Sequence, residues 1–524
     1  MYKLSIFATA LFVGSSFTSF APINVDTATH IPTYINTTAS GAKVALYNNI
    51  RFAQPPIGNL RFRKPRTPPP TQDGIQDGRD RLFSSDCVCA APSQVPFPGL
   101  NGTTWGTEDC LFLNVWVPEG VKAGDNVPVL YWMYGSAYAF GSKDLLVDGM
   151  GLMDLIRQPQ ERFIYVSGNY RMGIYGWTSS ADEDMDANVG LHDGIAALEW
   201  TKQYIARFGG NPNDITVLGE SAGAAMVELM LVAEEGMWPL PFQKAFISSP
   251  ALLSRRNVTA RREYVWQQVL NSTNCSSLDC MRQASPSTLE AANKNVLLDI
   301  KSESGGGSFG PGMGISPFPD GKFITDAAMV LFKQGKYNRQ LKSAIIGNMA
   351  AEGLITAPEI TTPSELASLI RLAFPNANAS SIRALRKMYL YPDSELLQVG
   401  QDWVTDAVFA CNAEVMAKAY GPRAQRYVFS IPPAAHGQDL EYIFFRDNTT
   451  TPVSSPTLAR QFQQELLSFV RYGAGNSSDW PLYGNSSNIA NVTMNGLQVQ
   501  KDPWAEKPTC EMIMQLLEDR ASGA

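Results

Sequence analysis

Ile215-Thr-Val-Leu-Gly-Glu-Ser-Ala-Gly-Ala-Ala-Met-Val-Glu-Leu-Met230 passes from an apolar, β-like run, through a turn of small residues, into an alanine-rich helical stretch. A Gly-x-Ser-x-Gly turn between strand and helix, here Gly219 to Gly223, needs small residues around the serine because the backbone doubles back on itself. Ser221 is thereby thrust out at the positive end of the following helix. The spacing predicts a strand, a sharp elbow bearing a nucleophile, and a helix.

A serine hydroxyl is a poor nucleophile at its own pKa and needs a base, usually a histidine oriented by a carboxylate. The chain has three histidines, His30, His192 and His436. His30 lies in the N-terminal region, and His192 opens a segment whose apolar positions Ile195, Leu198, Ile205 and Phe208 predict an amphipathic helix. Both read as structural or solvent-facing. His436 follows a strand-like run over residues 426–431 and a Pro-Pro-Ala-Ala loop, with Gly437 behind it, which is the placement of an active-site base.

The third member is expected just beyond a strand end. Residues 342–347 read as a short buried strand, and Glu352 follows in the next loop, before Gly353. In a doubly wound sheet the loops after the carboxyl ends of strands gather along one edge, so Ser221, Glu352 and His436 are expected to meet there. Asp320, Asp326 and Glu359 are rival acids that follow no comparable strand.

Several further stretches carry a resemblance. Val44-Ala-Leu-Tyr-Asn-Asn-Ile-Arg-Phe-Ala-Gln-Pro-Pro-Ile-Gly-Asn-Leu-Arg-Phe62, Glu108-Asp-Cys-Leu-Phe-Leu-Asn-Val-Trp-Val-Pro118, Asn169-Tyr-Arg-Met-Gly173 and Phe208-Gly-Gly-Asn-Pro-Asn-Asp214 occur in this order before the elbow. The chain is similar to the type-B carboxylesterase, lipase and cholinesterase family of α/β-hydrolases, and most of all to secreted fungal carboxylesterases. The resemblance implies an α/β-hydrolase fold, a large, mostly parallel, doubly wound sheet with helical insertions. It places Glu352 in a Gly-x-x-x-x-Glu-Gly context and His436 in a His-Gly-x-Glu/Asp context, so that the implied triad is Ser221, Glu352 and His436. The family's three-glycine oxyanion loop is replaced here by Gly135-Ser136-Ala137. The implied oxyanion donors are the backbone amides of Ser136, Ala137 and Ala222, which survive because they belong to the main chain. A positive φ at Ser136 or Ala137 would then carry a Cβ penalty. Glu220 and Asp439, beside nucleophile and base, are expected to add negative potential around His436.

The resemblance also implies a serine carboxylic-ester hydrolase working through an acyl-enzyme on a small-molecule ester. Two other readings use the same residues: an ester-forming or acyl-transfer enzyme, and a cholinesterase-like binding protein weakened by its oxyanion loop. Choline esters are not favoured, since Trp105 is a single aromatic and no cage is legible. No cofactor is expected, and no metal, because the histidines are isolated and no Cys-x-x-Cys occurs.

The 524 residues contain no linker or repeat that would divide them, and a net charge of -7 argues against nucleic acid or an anionic membrane as partner. The pairs Arg255-Arg256 and Arg261-Arg262 read as a solvated helix face. Lys3, an apolar core over 4–14 and small polar residues after it have the pattern of a signal peptide, giving residues 1–21 as leader and 22–524 as one domain of a secreted protein with no stable membrane anchor. Sequons at Asn36, Asn101, Asn257, Asn271, Asn274, Asn378, Asn448, Asn476, Asn485 and Asn491 fit a glycosylating pathway, with Asn271 and Asn274 too close for both to be used. Of seven cysteines, the resemblance pairs Cys87 with Cys110 and Cys275 with Cys280, and Cys411 with Cys510 looks like a third bridge; Cys89 is left over, or replaces Cys87. The run Gly305 to Gly314 lacks a following Gly-Lys-Ser/Thr and reads as a flexible loop near the pocket rather than a phosphate loop. Residues 67–71 read as a surface turn, and residues 458–472 as an amphipathic helix.

Overall fold

The computed structural model describes residues 20–524 apart from 82–83, 93–99, 146, 300–314 and 478. Most of the expected leader and the 305–314 glycine run therefore lie outside the described residues. An eleven-stranded sheet dominates the rest. Its strands in chain order are β1 (Tyr34–Thr37), β2 (Lys43–Arg51), β3 (Phe112–Pro118), β4 (Val127–Met133), β5 (Ile164–Gly168), β6 (Gly210–Glu220), β7 (Lys244–Ser248), β8 (Ser343–Met349), β9 (Ala424–Phe429), β10 (Asn488–Thr493) and β11 (Gly496–Lys501). Across the sheet they run 11-10-9-8-7-6-4-5-3-2-1. The strands from β10 to β5 pair in parallel, whereas β3, β2 and β1 on one side and β11 on the other are antiparallel.

The apolar runs explain the middle of this sheet. A parallel strand is covered on both faces, so it reads as continuously apolar rather than alternating, and β7 is buried along its whole length. The principal helices for the site are α1 (Val189–Tyr204), α2 (Ala222–Val232), α3 (Gly353–Thr356), α4 (Asp439–Ile443) and α5 (Pro456–Tyr472). Every residue of α2 is buried, which makes it a central helix packed on all sides. Helix α5 is amphipathic as expected, burying Leu458, Phe462, Leu466 and Val470.

One expectation needs correction. Helix α1 is amphipathic as expected, with Leu191, Leu198, Trp200 and Tyr204 inside and Glu199, Lys202 and Gln203 exposed. The residue 315–324 segment is tied to its start through Asn188, whose Nδ2 donates to the Phe318 carbonyl at 2.9 Å. The arginine pairs are not a solvated face. Arg256 makes a bidentate pair with Asp326 at 2.7 Å, and Arg262 donates to Ser179 Oγ at 3.0 Å while lying 4.5 Å from the Phe318 ring centroid. Burial, with the nearby charge of Arg261, pulls the Arg255 guanidinium down to about 10.

Disulfides join Cys87 to Cys110, Cys275 to Cys280 and Cys411 to Cys510, so Cys87 rather than Cys89 is the partner of Cys110. Cys89 is free and buried. Among the described residues no helix is long and apolar enough to cross a membrane. The sequon asparagines are exposed except Asn491, which is half-buried on β10, where its Nδ2 donates to Gln500 and its Oδ1 accepts from Ser430.

Candidate active site

Strands β6, β8 and β9 run parallel, so the segments leaving their carboxyl ends emerge on the same edge of the sheet. Ser221 follows β6, Glu352 lies three residues beyond β8 as the residue before α3, and His436 lies in the loop between β9 and α4. The structure brings all three together. Ser221 Oγ is 2.8 Å from His436 Nε2, and His436 Nδ1 is 2.6 Å from Glu352 Oε2.

The elbow is fixed by backbone. Ser221 has φ 56° and ψ −124°, its N–H donates to the Ser248 carbonyl at 3.0 Å, and its own carbonyl accepts from Ala251 N–H at 3.1 Å. Gly223 allows this approach: a Cβ there would stand 2.1 Å from the Met133 carbonyl oxygen, so only glycine fits. Glu352 is fully buried, and its other oxygen, Oε1, accepts from Met349 N–H at 2.7 Å. The His436 ring packs against Phe409, with centroids 4.7 Å apart.

The loop after β4 carries three successive non-glycine residues of positive φ, Ser136 (72°), Ala137 (54°) and Tyr138 (61°). Each such residue costs of order 1–3 kcal/mol and persists only where surrounding structure imposes it. Here Tyr170 OH donates to the Tyr134 and Gly135 carbonyls at 2.8 and 3.0 Å, and Tyr138 OH donates to Ala251 at 3.2 Å. The Tyr134 and Tyr170 rings stack with centroids 4.6 Å apart. The amides of Ser136 and Ala137 donate to no group among the described residues, and Ala222 opens α2, where first-turn amides have no helical acceptor.

Glu220 and Asp439 are both buried beside this chain of contacts. Glu220 Oε1 is 3.5 Å from His436 Nε2. Burial pushes the Glu220 carboxyl up to about 8, against the pull of His436. Asp439 is pushed up to about 6, again by burial, opposed by donors from Ser248 Oγ at 2.5 Å and Tyr427 OH at 2.6 Å. For His436 burial acts downward, but Glu352 foremost, then Glu220 and Asp439, outweigh it and hold the imidazole up to about 9. Ser248 and Tyr427 carried no signal in the sequence; each acts through Asp439, and only the register of β7 and β9 reveals it.

The other candidates lie elsewhere. His30 and His192 are pulled down to about 4 and about 3, by burial first in each case. Asp320 accepts the amides of Lys322 and Phe323, Asp326 is held by Arg256, and Glu359 is exposed. A cleft of about 820 Å³ opens over Ser221 and His436, with Phe140, Val147, Leu440 and Phe444 on its walls and Asp148, Glu441 and Arg446 among its polar lining.

Residues 33–511 match the carboxylesterase family, and the chain belongs to it. It is a carboxylic ester hydrolase of α/β-hydrolase fold. It is 27% identical over 511 residues to carboxylesterase patB of Penicillium expansum, covering 87% of this chain and 89% of that one. A secreted lipase of Arthroderma benhamiae is 28% identical over 440 residues, covering 79% of this chain and 83% of its own. The crystal structure of Aspergillus niger EstA shares the fold, with a TM-score of 0.80 at 23% identity, covering 97% of this chain and 99% of that one.

Proposed function

We propose that Ser221, His436 and Glu352 are the catalytic triad of a secreted esterase that works through an acyl-enzyme. The observation that carries this is the unbroken relay from Ser221 Oγ to His436 Nε2, at 2.8 Å, and from Nδ1 to Glu352, at 2.6 Å, opening on the cleft. Ser221 Oγ attacks the ester carbonyl carbon as its proton passes to His436 Nε2. The resulting oxyanion accepts from the amides of Ser136, Ala137 and Ala222. His436 returns the proton to the departing alkoxide, which leaves as alcohol. Water then attacks the acyl-serine with His436 as base, and collapse releases the acid and restores the Ser221 hydroxyl. Glu352 keeps the proton of neutral His436 on Nδ1 and stabilises the imidazolium.

The left-handed conformation of Ser136 and Ala137 favours this reading over a weakened binding protein, since the residues that replace the glycines present amides that donate to no group among the described residues. Residues 22–524 act as one domain around this single site. Secretion is supported by the leader-like N-terminus, the three disulfides, the exposed sequons and the relative named as a secreted lipase. The test is hydrolysis of a p-nitrophenyl ester series by the purified protein beside Ser221→Ala, with phosphonate labelling of the serine. Turnover and label in the wild type, and neither in the variant, support the triad; a folded wild type that neither turns over nor labels refutes it.

A further inference from the structure

Strand β1 ends the large sheet, and its shortness, four residues, is the one device in its own sequence that blunts that edge. All four of its residues are exposed, with Tyr34 at 43% and Ile35 at 49%. An exposed edge strand offers unpaired N–H and C=O groups to a further strand, and proteins blunt such edges by keeping them short or with charge, proline, bulges or a covering element. Tyr34-Ile-Asn-Thr37 has no charged residue and no proline, and its residues favour strand. The opposite edge differs: β11 ends in Lys501, a charged residue of the kind that blocks strand addition.

What β1 does carry is a sequon, Asn36-Thr37-Thr38, with Asn36 exposed. Alternate residues of a strand share a face, so Asn36 and Tyr34 point the same way. The first sugar on Asn36 would lay its apolar face over the exposed part of the Tyr34 ring, beside which the Arg79 guanidinium lies 5.8 Å from its centroid.

We propose that Asn36 is N-glycosylated and that this glycan is the edge guard of the sheet, packing on Tyr34 and preventing β1 from pairing with β1 of a second copy. The inference rests on passage through a glycosylating secretory route, as read above. In that modification Asn36 Nδ2 forms a C–N bond to the anomeric carbon of an oligosaccharide carried on a lipid diphosphate. The C–O bond to the diphosphate breaks, the amide loses one proton, and the lipid diphosphate leaves with the electron pair.

The test begins with site occupancy, by glycopeptide mass spectrometry of the protein secreted from a eukaryotic host. Light scattering then compares the native protein with the same protein after enzymatic glycan removal, with Asn36→Gln, and with Asn448→Gln as a loop control. Asn36 is expected to be occupied, and its loss by either route should shift the mass above that of the native protein as concentration rises. Asn448→Gln should leave the mass unchanged, and adding Ile35→Lys to Asn36→Gln should reverse the shift by putting charge on the edge. Hydrolysis of soluble esters should stay as in the native protein throughout. Occupied sites elsewhere with Asn36 empty, or Asn36 occupied with no mass shift on its removal, would overturn the inference alone. Empty sequons throughout would overturn it together with the secretory reading.

Discussion

The two oxygens of Glu352 have different tasks, and Glu352→Gln separates them. Oε1 accepts from Met349 N–H at 2.7 Å, and Oε2 faces His436 Nδ1 at 2.6 Å, with the Glu352 carboxyl itself fully buried. In the variant the amide oxygen has to stay on the Met349 N–H, because an NH2 group there would set donor against donor in a buried place. The NH2 group therefore faces Nδ1 and donates to it. His436 must answer with the tautomer whose proton is on Nε2, and that nitrogen then donates to Ser221 instead of accepting from it. The nucleophile loses its base although every heavy atom stays in position. The equivalent change in Ser-His-Asp proteases lowers kcat by about 10⁴, or about 5.5 kcal/mol of barrier. Initial rates on p-nitrophenyl acetate should show that loss in kcat with KM little changed, and phosphonate labelling should slow in parallel. A loss of less than about tenfold would mean that Glu352 does not set the tautomer, and the reasoning would fail.

Three further outcomes are expected. Activity needs neutral His436, which is held up to about 9, so kcat/KM should climb as pH rises above 6.5; Glu220→Gln removes one of the carboxyl groups responsible and should move that limb to lower pH. A limb that stays put or moves upward in this variant would contradict the assigned role of Glu220. Glu228, on α2, is fully buried, and neither of its oxygens has a hydrogen-bond partner among the described residues. Replacing it by Met should stabilise the protein by about 1–3 kcal/mol. Burial holds this carboxyl well above its ordinary 4.5, so its cost is absent below that pH and grows as pH rises towards the folded-state value. Denaturation at pH 5 and pH 8 should therefore show the larger gain at pH 8, and an equal gain at both would refute the account. Gly223→Ala should abolish activity even where folded protein is recovered, because its Cβ would press on the Met133 carbonyl and displace the oxyanion loop; near-normal kcat would show that the elbow yields.

The meeting of Ser221, Glu352 and His436 was legible because each follows an apolar strand at a glycine-marked turn, a local pattern. The same holds for the amides of Ser136 and Ala137, which come with the backbone whatever the side chains are. Their left-handed conformation was not legible, because Tyr170, 36 residues from Tyr134 in sequence, holds the loop from the end of the neighbouring strand β5. Asp439 was visible beside His436, yet its partner Ser248 is 191 residues away in sequence, and only the sheet register joins them. The arginine pairs were misread for a similar reason: Asp326, the partner of Arg256, lies 70 residues further on. Helix α1 was legible from periodicity, because its apolar spacing is a local pattern and its polar face, with Glu199, Lys202 and Gln203, does meet solvent.

The chain order of the three strands that meet at the site has a consequence for biosynthesis. The serine elbow is made first, yet its base is 215 residues further along the chain, and the carboxylate that orients the base is 84 residues before it. Under the proposed triad, a chain made only as far as the elbow has a serine with no partner to take its proton, and is expected to be inert towards the esters around it. Activity then requires β9 beside β8, the pairing that brings His436 to the serine. A product of termination upstream of His436 is expected to be catalytically silent, so that the cell making this enzyme would be spared esterase activity until that residue has been built.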